Sequence, residues 1–415
     1  VIRDESGEEI EVTKGRYIRL MESPDRRVRR DAFKALYHSY ENQINTIGAT
    51  LSYSVKKDVF FAKIRKYRSS LEAALSEDNI PVSVYDNLIE AVESRLDAMA
   101  RYVSLRKRAL KVDALHMYDL YVPIVPEVKI EVPYEEAKKR IKEGLRPLGE
   151  EYIRIMDKGF HEGWIDVYEN QGKTGGAYSF GTYDSSPYIL MNYQNTINDL
   201  FTLAHEMGHS MHSYYSHQNQ PYIYGGYTIF VAEVASTVNE TLLMEYLLNN
   251  TQDRKEKMYL LNHYLEQFRA TVYRQTMFAS FEKKIHEKVE KGEALTAENL
   301  SQIYLELNKK YYGSEMVYDD QIRFEWARIP HFYNAFYVYK YATGYSAAIA
   351  LSQQILREGS EAVKRYIDFL KSGSSDYPIH LLQKAGVDMK TPEPIHRALD
   401  VFEGLVEKLE NMLQV

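Results

Sequence analysis

Residues 205–209 read His-Glu-Met-Gly-His, and this pentapeptide narrows what the chain can fold into more than any other feature does. Two histidines four residues apart point the same way on a helix, so His205 and His209 can offer two ring nitrogens to one cation, with Glu206 beside the open coordination position. Leu200, Phe201, Leu203, Ala204, Met207 and Met211 make the surrounding stretch apolar. Burying two imidazoles and a carboxylate there is costly unless a metal or polar partners compensate them. With 12 histidines in 415 residues, chance supplies an H-E-x-x-H pattern only about 0.03 times. The fold is therefore expected to bury a metal-bearing helix and to bring it a further ligand from elsewhere.

A hydrolytic zinc site takes three protein ligands and leaves one position for water, and a chain without cysteine draws the third from His, Asp or Glu. His212 shares a face with His205 but lies roughly 10 Å further along the axis, out of reach of the same ion. The elongated motif with a third histidine ten residues after the first is absent, because that position is Tyr215. Beyond a Gly- and Pro-containing loop, 218–226, comes a second apolar segment from Phe230 to Glu240, in which Glu233 sits among Ala232, Ala235 and Ser236. An acid in an apolar turn, flanked by small residues that permit close helix approach, is the pattern expected of a distant carboxylate ligand. Glu240, seven residues on and on the same face, is placed to accept the outward N–H of a ligating histidine and fix its tautomer. The competing reading of both acids is a helix surface.

The succession H-E-M-G-H, then F-V-A-E-V-A-S-x-x-x-E, then a tyrosine-rich segment opening Pro330-His331-Phe332-Tyr333, resembles the M3 family of zinc metallopeptidases and, within it, the oligoendopeptidase F group. The likeness runs from about Tyr17 to the end. It implies a mainly α, zincin-type fold with a small β-sheet beside the active-site helix and a deep substrate channel. It further implies one zinc ion per chain on His205, His209 and Glu233, Glu206 as general base, and short unfolded peptides cut internally as substrates. Members usually carry an additional N-terminal helical lobe, whereas this chain starts at Val1 and goes almost directly into the catalytic region. A fragment or processed chain is expected, with an N-terminal helical part over 1–125 and a catalytic part over 126–415.

Tyrosine is densest after His331, at Tyr333, Tyr337, Tyr339, Tyr341 and Tyr345. Tyr337, Tyr341 and Tyr345 recur at every fourth position and form one stripe on a helix expected over 332–358, with Gly344 allowing close approach beside it. A phenol donor stabilises an oxyanion without adding charge. The resemblance gives that role to a His and a Tyr of this segment, taken here as His331 and Tyr341, with Tyr337 and Tyr345 as further substrate contacts; the alternative is an aromatic core. Upstream, 175–183 and 188–193 read as two short strands joined by Asp184-Ser185-Ser186-Pro187. Gly176, Ala177 and Tyr178 on an edge strand let an extended peptide add as a further strand. A phosphate loop is excluded, because no strand-GxxxxGK[ST]-helix order occurs.

Lys and Arg number 52 against 59 Asp and Glu, a net charge of −7 that gives no general attraction to nucleic acid or acidic membranes. No apolar run approaches the roughly 20 residues of a membrane span, and no signal peptide is visible. The absence of cysteine excludes disulfides and fits a cytoplasmic enzyme. A long helix is expected from Ser23-Pro24 through Leu51, with Arg26, Arg27, Arg29 and Arg30 as a solvated start. A Ser83/Asp86 capping box, a strand at 118–122, a Pro-punctuated link over 123–133 and a Thr196/Asp199 cap on the metal helix follow, with later helices over 262–291, 297–311, 360–371 and 394–413. Two other functions fit less of the sequence: an exopeptidase of the dipeptidyl carboxypeptidase type, using Arg323 and Arg328 to capture a peptide C-terminus, and a non-hydrolytic peptide-binding protein with a structural metal.

Overall fold

Apolar positions at helical spacing dominate the chain, and helices dominate the computed structural model, which describes residues 1–125 and 130–414. The first group is α1 (Lys14–Met21), α2 (Arg26–Glu41), α3 (Ile44–Ile64), α4 (Ser70–Ser76), α5 (Val82–Glu93) and α6 (Leu96–Leu110). Next, α7 (Tyr134–Gly144) and α8 (Glu150–His161) lead to α9 (Ile197–Asn219) and α10 (Ile229–Asn250). The helix α11 (Arg254–Phe268) passes through a π turn, Arg269–Tyr273, into α12 (Arg274–Glu290). It is followed by α13 (Ala297–Tyr312), α14 (Tyr339–Glu358), α15 (Ser360–Leu370), α16 (Pro378–Ala385) and α17 (Glu393–Leu413).

The strands are short. Antiparallel β1 (Ile2–Arg3) and β2 (Glu9–Ile10) pair near the start, and β3 (Leu115–His116) lies parallel to β7 (Met316–Val317). The third sheet contains β4 (Ile165–Asp166), β5 (Tyr178–Phe180) and β6 (Tyr188–Leu190) in the order β4-β6-β5, with Ser179 opposite Ile189 in antiparallel register. This places β5 at the sheet edge against α9, as the expected pair of strands requires.

At the centre α10 is sandwiched between α9 and α14. It is apolar around most of its circumference, with Val231, Val234, Ala235, Val238, Leu242 and Leu243 all buried, which suits a helix with neighbours on several sides. The early helices join the same core: α3 and α5 pack on α12, and α6 packs on α13 and α17. No helix among the described residues is long and apolar enough to cross a membrane.

Several local expectations are corrected. The stripe from Phe33 to Leu51 is carried by two helices, broken at Asn42-Gln43, whose amides bond back to His38 and Tyr40 and close α2. The cap of α2 is Asp25, not Ser23. Arg29 is buried, and it shares the Asp119 carboxylate with Arg26 at 2.8 Å each, so this basic run is only partly solvated. With Pro81 as its cap, α5 starts two residues early, leaving Ser83 inside the first turn, while Asp86 is drawn to Lys283 of α12 at 2.6 Å. The expected strand at 118–122 is replaced by a 3-10 turn over Met117–Asp119, because the buried Arg106 guanidinium takes the Asp119 and Val122 carbonyls at 3.0 and 2.6 Å. The 123–133 link falls partly outside the described residues. The helix expected from Phe332 begins only at Tyr339; ahead of it lie a 3-10 turn, Pro330–Tyr333, and a left-handed Phe336 with φ +58°.

Candidate metal centre and active site

The metal helix is fixed at its start. Thr196 and Asp199 form the expected capping box, each side chain accepting from the other's backbone N–H at 3.1 and 2.9 Å. About three turns later α9 meets α10 at Gly208, where a Cβ would lie 2.5 Å from the Ser236 Cα. Only glycine allows that crossing. A second clamp is Asn239, whose amide donates to the Ala204 carbonyl at 3.1 Å while its own oxygen accepts from Tyr152 at 2.8 Å.

The crossing brings Glu233 to the two histidines. His205 Nε2 and His209 Nε2 are 3.1 Å apart, and Glu233 Oε2 lies 3.4 Å from the first and 3.7 Å from the second. Ligand atoms bound about 2.0–2.1 Å from a tetrahedral ion are separated by about 3.3 Å, so the triangle fits a divalent cation without rearrangement. Among the described residues this is the cluster of His and acid side chains able to hold a metal. Glu240 sits behind it, its Oε1 2.5 Å from His205 Nδ1, and its Oε2 accepts from Gln267 at 2.9 Å. Two carboxylates face two imidazoles, an excess of negative charge that suits a cation. Burial opposes protonation of His205, yet Glu240 and Glu233 raise its pKa well above the usual value, whereas burial and the neighbouring His205 press His209 down to about 4.

Glu206 is buried beside the metal ligands, and burial raises its pKa against the lowering influence of His205 and the Ser179 backbone amide. The free edge of β5 thus turns toward the expected base. Gly176 takes φ +90° and Ala177 is half-buried next to it, with the Gly176 carbonyl held by Asn192 at 2.9 Å, while the Tyr178 ring is exposed. On the other side, His331, Tyr337 and Tyr341 gather: His331 stacks on Tyr337 at 5.9 Å and meets Tyr341 edge-on at 6.1 Å. Burial and the Tyr337 hydroxyl raise the Tyr341 pKa, which keeps its phenol proton available, and Glu233 is close enough to push the same way. Tyr345 is separate from this group. It is turned into the core, edge-on to Phe268 at 5.0 Å, and Gly344 accommodates Glu233 and Phe230 of α10.

Sequence reasoning missed Gly208, Gln267 and Tyr227. The last stacks on buried His212 at 3.7 Å, and burial lowers the His212 pKa to about 3, so this histidine is packed as a neutral ring. The glycine inside the motif was the one available signal, since small residues on one helix invite a small residue on its partner. Two clefts lie nearby. One of about 1010 Å³ runs past Tyr227, Tyr333 and Tyr337 beside α3 and α4; another of about 480 Å³ opens on His205 and Glu206 and is lined also by Phe201 and His263.

The model of peptidase family M3 matches residues 19–401. The chain belongs to peptidase family M3. Oligopeptidase PepF of Bacillus subtilis (strain 168) is 57% identical over 412 residues, covering 99% of this chain and 62% of the relative. The oligoendopeptidase F homolog of Lactococcus lactis subsp. lactis (strain IL1403) is 46% identical over 414 residues, covering 100% of this chain and 69% of its own length. Among solved structures, oligoendopeptidase-F from Enterococcus faecium superposes with a TM-score of 0.83 at 44% identity, over 100% of this chain and 68% of that one. Metallocarboxypeptidase 1 of Trypanosoma cruzi shares the fold alone, with 15% identity and a TM-score of 0.58, over 90% of this chain and 80% of that one. The chain thus spans less than two thirds of the Bacillus relative. Membership of the M3 family implies a metal cofactor, and the His205–His209–Glu233 triangle is where it fits.

Proposed function

We propose that this M3 protein is a zinc endopeptidase that hydrolyses internal amide bonds of short, unfolded peptides. The observation carrying this reading is that the His205, His209 and Glu233 atoms lie within 3.1–3.7 Å of one another, with Glu206 alongside and Tyr341, which meets His331 at 6.1 Å, near Glu233. A zinc ion held by His205, His209 and Glu233 would supply Lewis acidity to a carbonyl and would lower the pKa of a water toward neutrality. An extended peptide pairs with the free edge of β5, which sets its backbone beside Glu206. Glu206 accepts the proton of the attacking water and delivers it to the leaving amine, and its raised pKa suits both transfers. His331 and Tyr341 donate hydrogen bonds to the developing oxyanion. The relatives' names, oligopeptidase and oligoendopeptidase, agree with this substrate class. A cytoplasmic setting belongs to the same proposal and is tested by cell fractionation.

The exopeptidase reading loses its cationic groups. Arg328 is committed to Glu325 at 2.7 Å and lies over the Tyr17 and Tyr37 rings, and Arg323 is paired with Glu298 at 2.7 Å. Glu206→Gln is the test of catalysis: zinc content is expected to stay at one per chain while turnover falls by about 10²–10⁴-fold. Unchanged turnover would refute Glu206 as the base, and a protein that binds peptides without cutting them would be the non-hydrolytic binder.

A further inference from the structure

Beyond the single 3-10 turn Pro330–Tyr333, the segment carrying His331 and Tyr337 is irregular up to α14, so contacts with other elements hold it. Along α12, the residues Phe278, Phe281, Glu282 and His286 line one face and meet this segment in sequence. Phe278 and Phe281 pack on Phe332 with ring centroids 5.3 and 5.0 Å apart, and His286 lies 4.4 Å from the Phe336 ring. Between them Glu282 Oε1 accepts the Phe336 backbone N–H at 2.9 Å. Phe336 is left-handed, with φ +58°, a conformation that is strained for an aromatic residue and persists only when its surroundings over-determine it. Its ring is buried, edge-on to Tyr85 at 5.7 Å. The other Glu282 oxygen has no partner among the described residues, and the side chain is fully buried.

We propose that Glu282 is a positioning residue: by accepting the Phe336 amide it holds the left-handed turn that sets Tyr337 and His331 against Tyr341. Burial pushes the Glu282 pKa well above the ordinary value, with Asp58 adding to the rise and the Phe336 amide opposing it. The atom that holds the turn is the accepting oxygen, Oε1. Asn334 closes the preceding turn by donating its amide to the His331 carbonyl at 2.9 Å, so a shift at Phe336 is transmitted to His331 within five residues. None of these residues touches the reacting atoms.

The inference rests on the proposed roles of His331 and Tyr341, and the experiment separates the two. Glu282→Gln and Glu282→Leu are compared with His331→Ala and Tyr341→Phe as zinc-loaded proteins on an end-capped, internally quenched peptide, with zinc content and far-UV circular dichroism measured on each. Glutamine keeps a carbonyl at the same place and leucine removes it. The expected result is that Glu282→Gln retains kcat, whereas Glu282→Leu, folded and with one zinc, loses about 10- to 100-fold in kcat with a smaller change in KM. Wild-type kcat in Glu282→Leu overturns the proposal, as does a Glu282→Gln variant as impaired as the leucine variant. A leucine variant that loses its helical spectrum along with its activity assigns Glu282 to the core and overturns it as well. Full activity in both His331→Ala and Tyr341→Phe refutes the functional reading itself.

Discussion

His205 is gripped on both ring nitrogens, by Glu240 at Nδ1 and by the ligand triangle at Nε2, so its orientation is decided before any ion arrives. That preorganisation gives Glu240 a measurable share in affinity. Glu240→Ala is expected to weaken zinc binding by about 10- to 100-fold, read by competition with a chromophoric chelator, while unchanged affinity shows that the acid is idle. Across the site, the Tyr341 phenol keeps its proton because burial opposes the phenolate. Tyr341→Phe is therefore expected to lower kcat by about 10²-fold with little change in KM, a signature of an interaction made only in the transition state. Equal activity in the phenylalanine variant would return Tyr341 to the role of aromatic packing.

Among the helices, the decisive contact is the crossing of α9 and α10, since the ligands belong to different helices and the close approach at Gly208, with the Asn239 clamp beside it, sets the distance between them. Gly208→Ala drives a methyl to 2.5 Å from the Ser236 Cα, and backbone cannot step aside as a flexible side chain can. The expected outcome is a loss of about 1–3 kcal/mol in stability by urea denaturation together with weakened zinc affinity; a variant with wild-type zinc binding contradicts the crossing as the source of the geometry. Much of this was readable in the chain. The i, i+4 histidines required a helix, the Thr196/Asp199 box marked its start, and Glu233 stood out as an acid among small apolar neighbours. The errors share a cause: where a side chain answers to a distant partner, local pattern misleads. Asp86 reaches Lys283 instead of capping α5, Arg106 takes carbonyls that would otherwise serve a strand, and α12 holds Phe336 in a turn that the fourfold tyrosine spacing reads as helix. Consequently Tyr337 precedes α14 yet still meets the Tyr341 ring at 5.5 Å, while Tyr345 points into the protein core, so only part of the stripe reaches the site.

For the molecule as a whole, stability leans on a buried charge cluster that joins α12, α13 and the 320–328 segment and reaches α2 through Arg328, which donates to the Tyr37 hydroxyl at 3.2 Å. Glu325 lies among Arg274 and Arg328, each at 2.7 Å, and accepts from Tyr304 at 2.6 Å. Burial raises its pKa, but the two guanidinium groups outweigh that and bring it from 4.5 down to about 2. A depressed carboxylate pKa stabilises the fold above its unfolded value and is lost as pH falls toward the folded one. Glu325→Gln is thus expected to cost about 3–5 kcal/mol near neutral pH, because two buried cations lose their partner. The gap between wild type and variant should narrow as pH drops from 4.5 toward about 2; a gap independent of pH contradicts an ionised Glu325. Peptide selection also belongs to this scale, because the clefts beside Tyr337 and Glu206 must both accept chain for an internal cut. A peptide blocked at both ends should still be cleaved, and resistance of every blocked peptide favours an exopeptidase.

Anomalous diffraction from crystals grown with zinc, collected on both sides of the zinc edge, tests the metal centre most directly. The structure predicts one peak per chain, about 2.0–2.2 Å from His205 Nε2, His209 Nε2 and a Glu233 carboxylate oxygen. A peak elsewhere, or one at the histidines with Glu233 beyond about 3 Å, would contradict it.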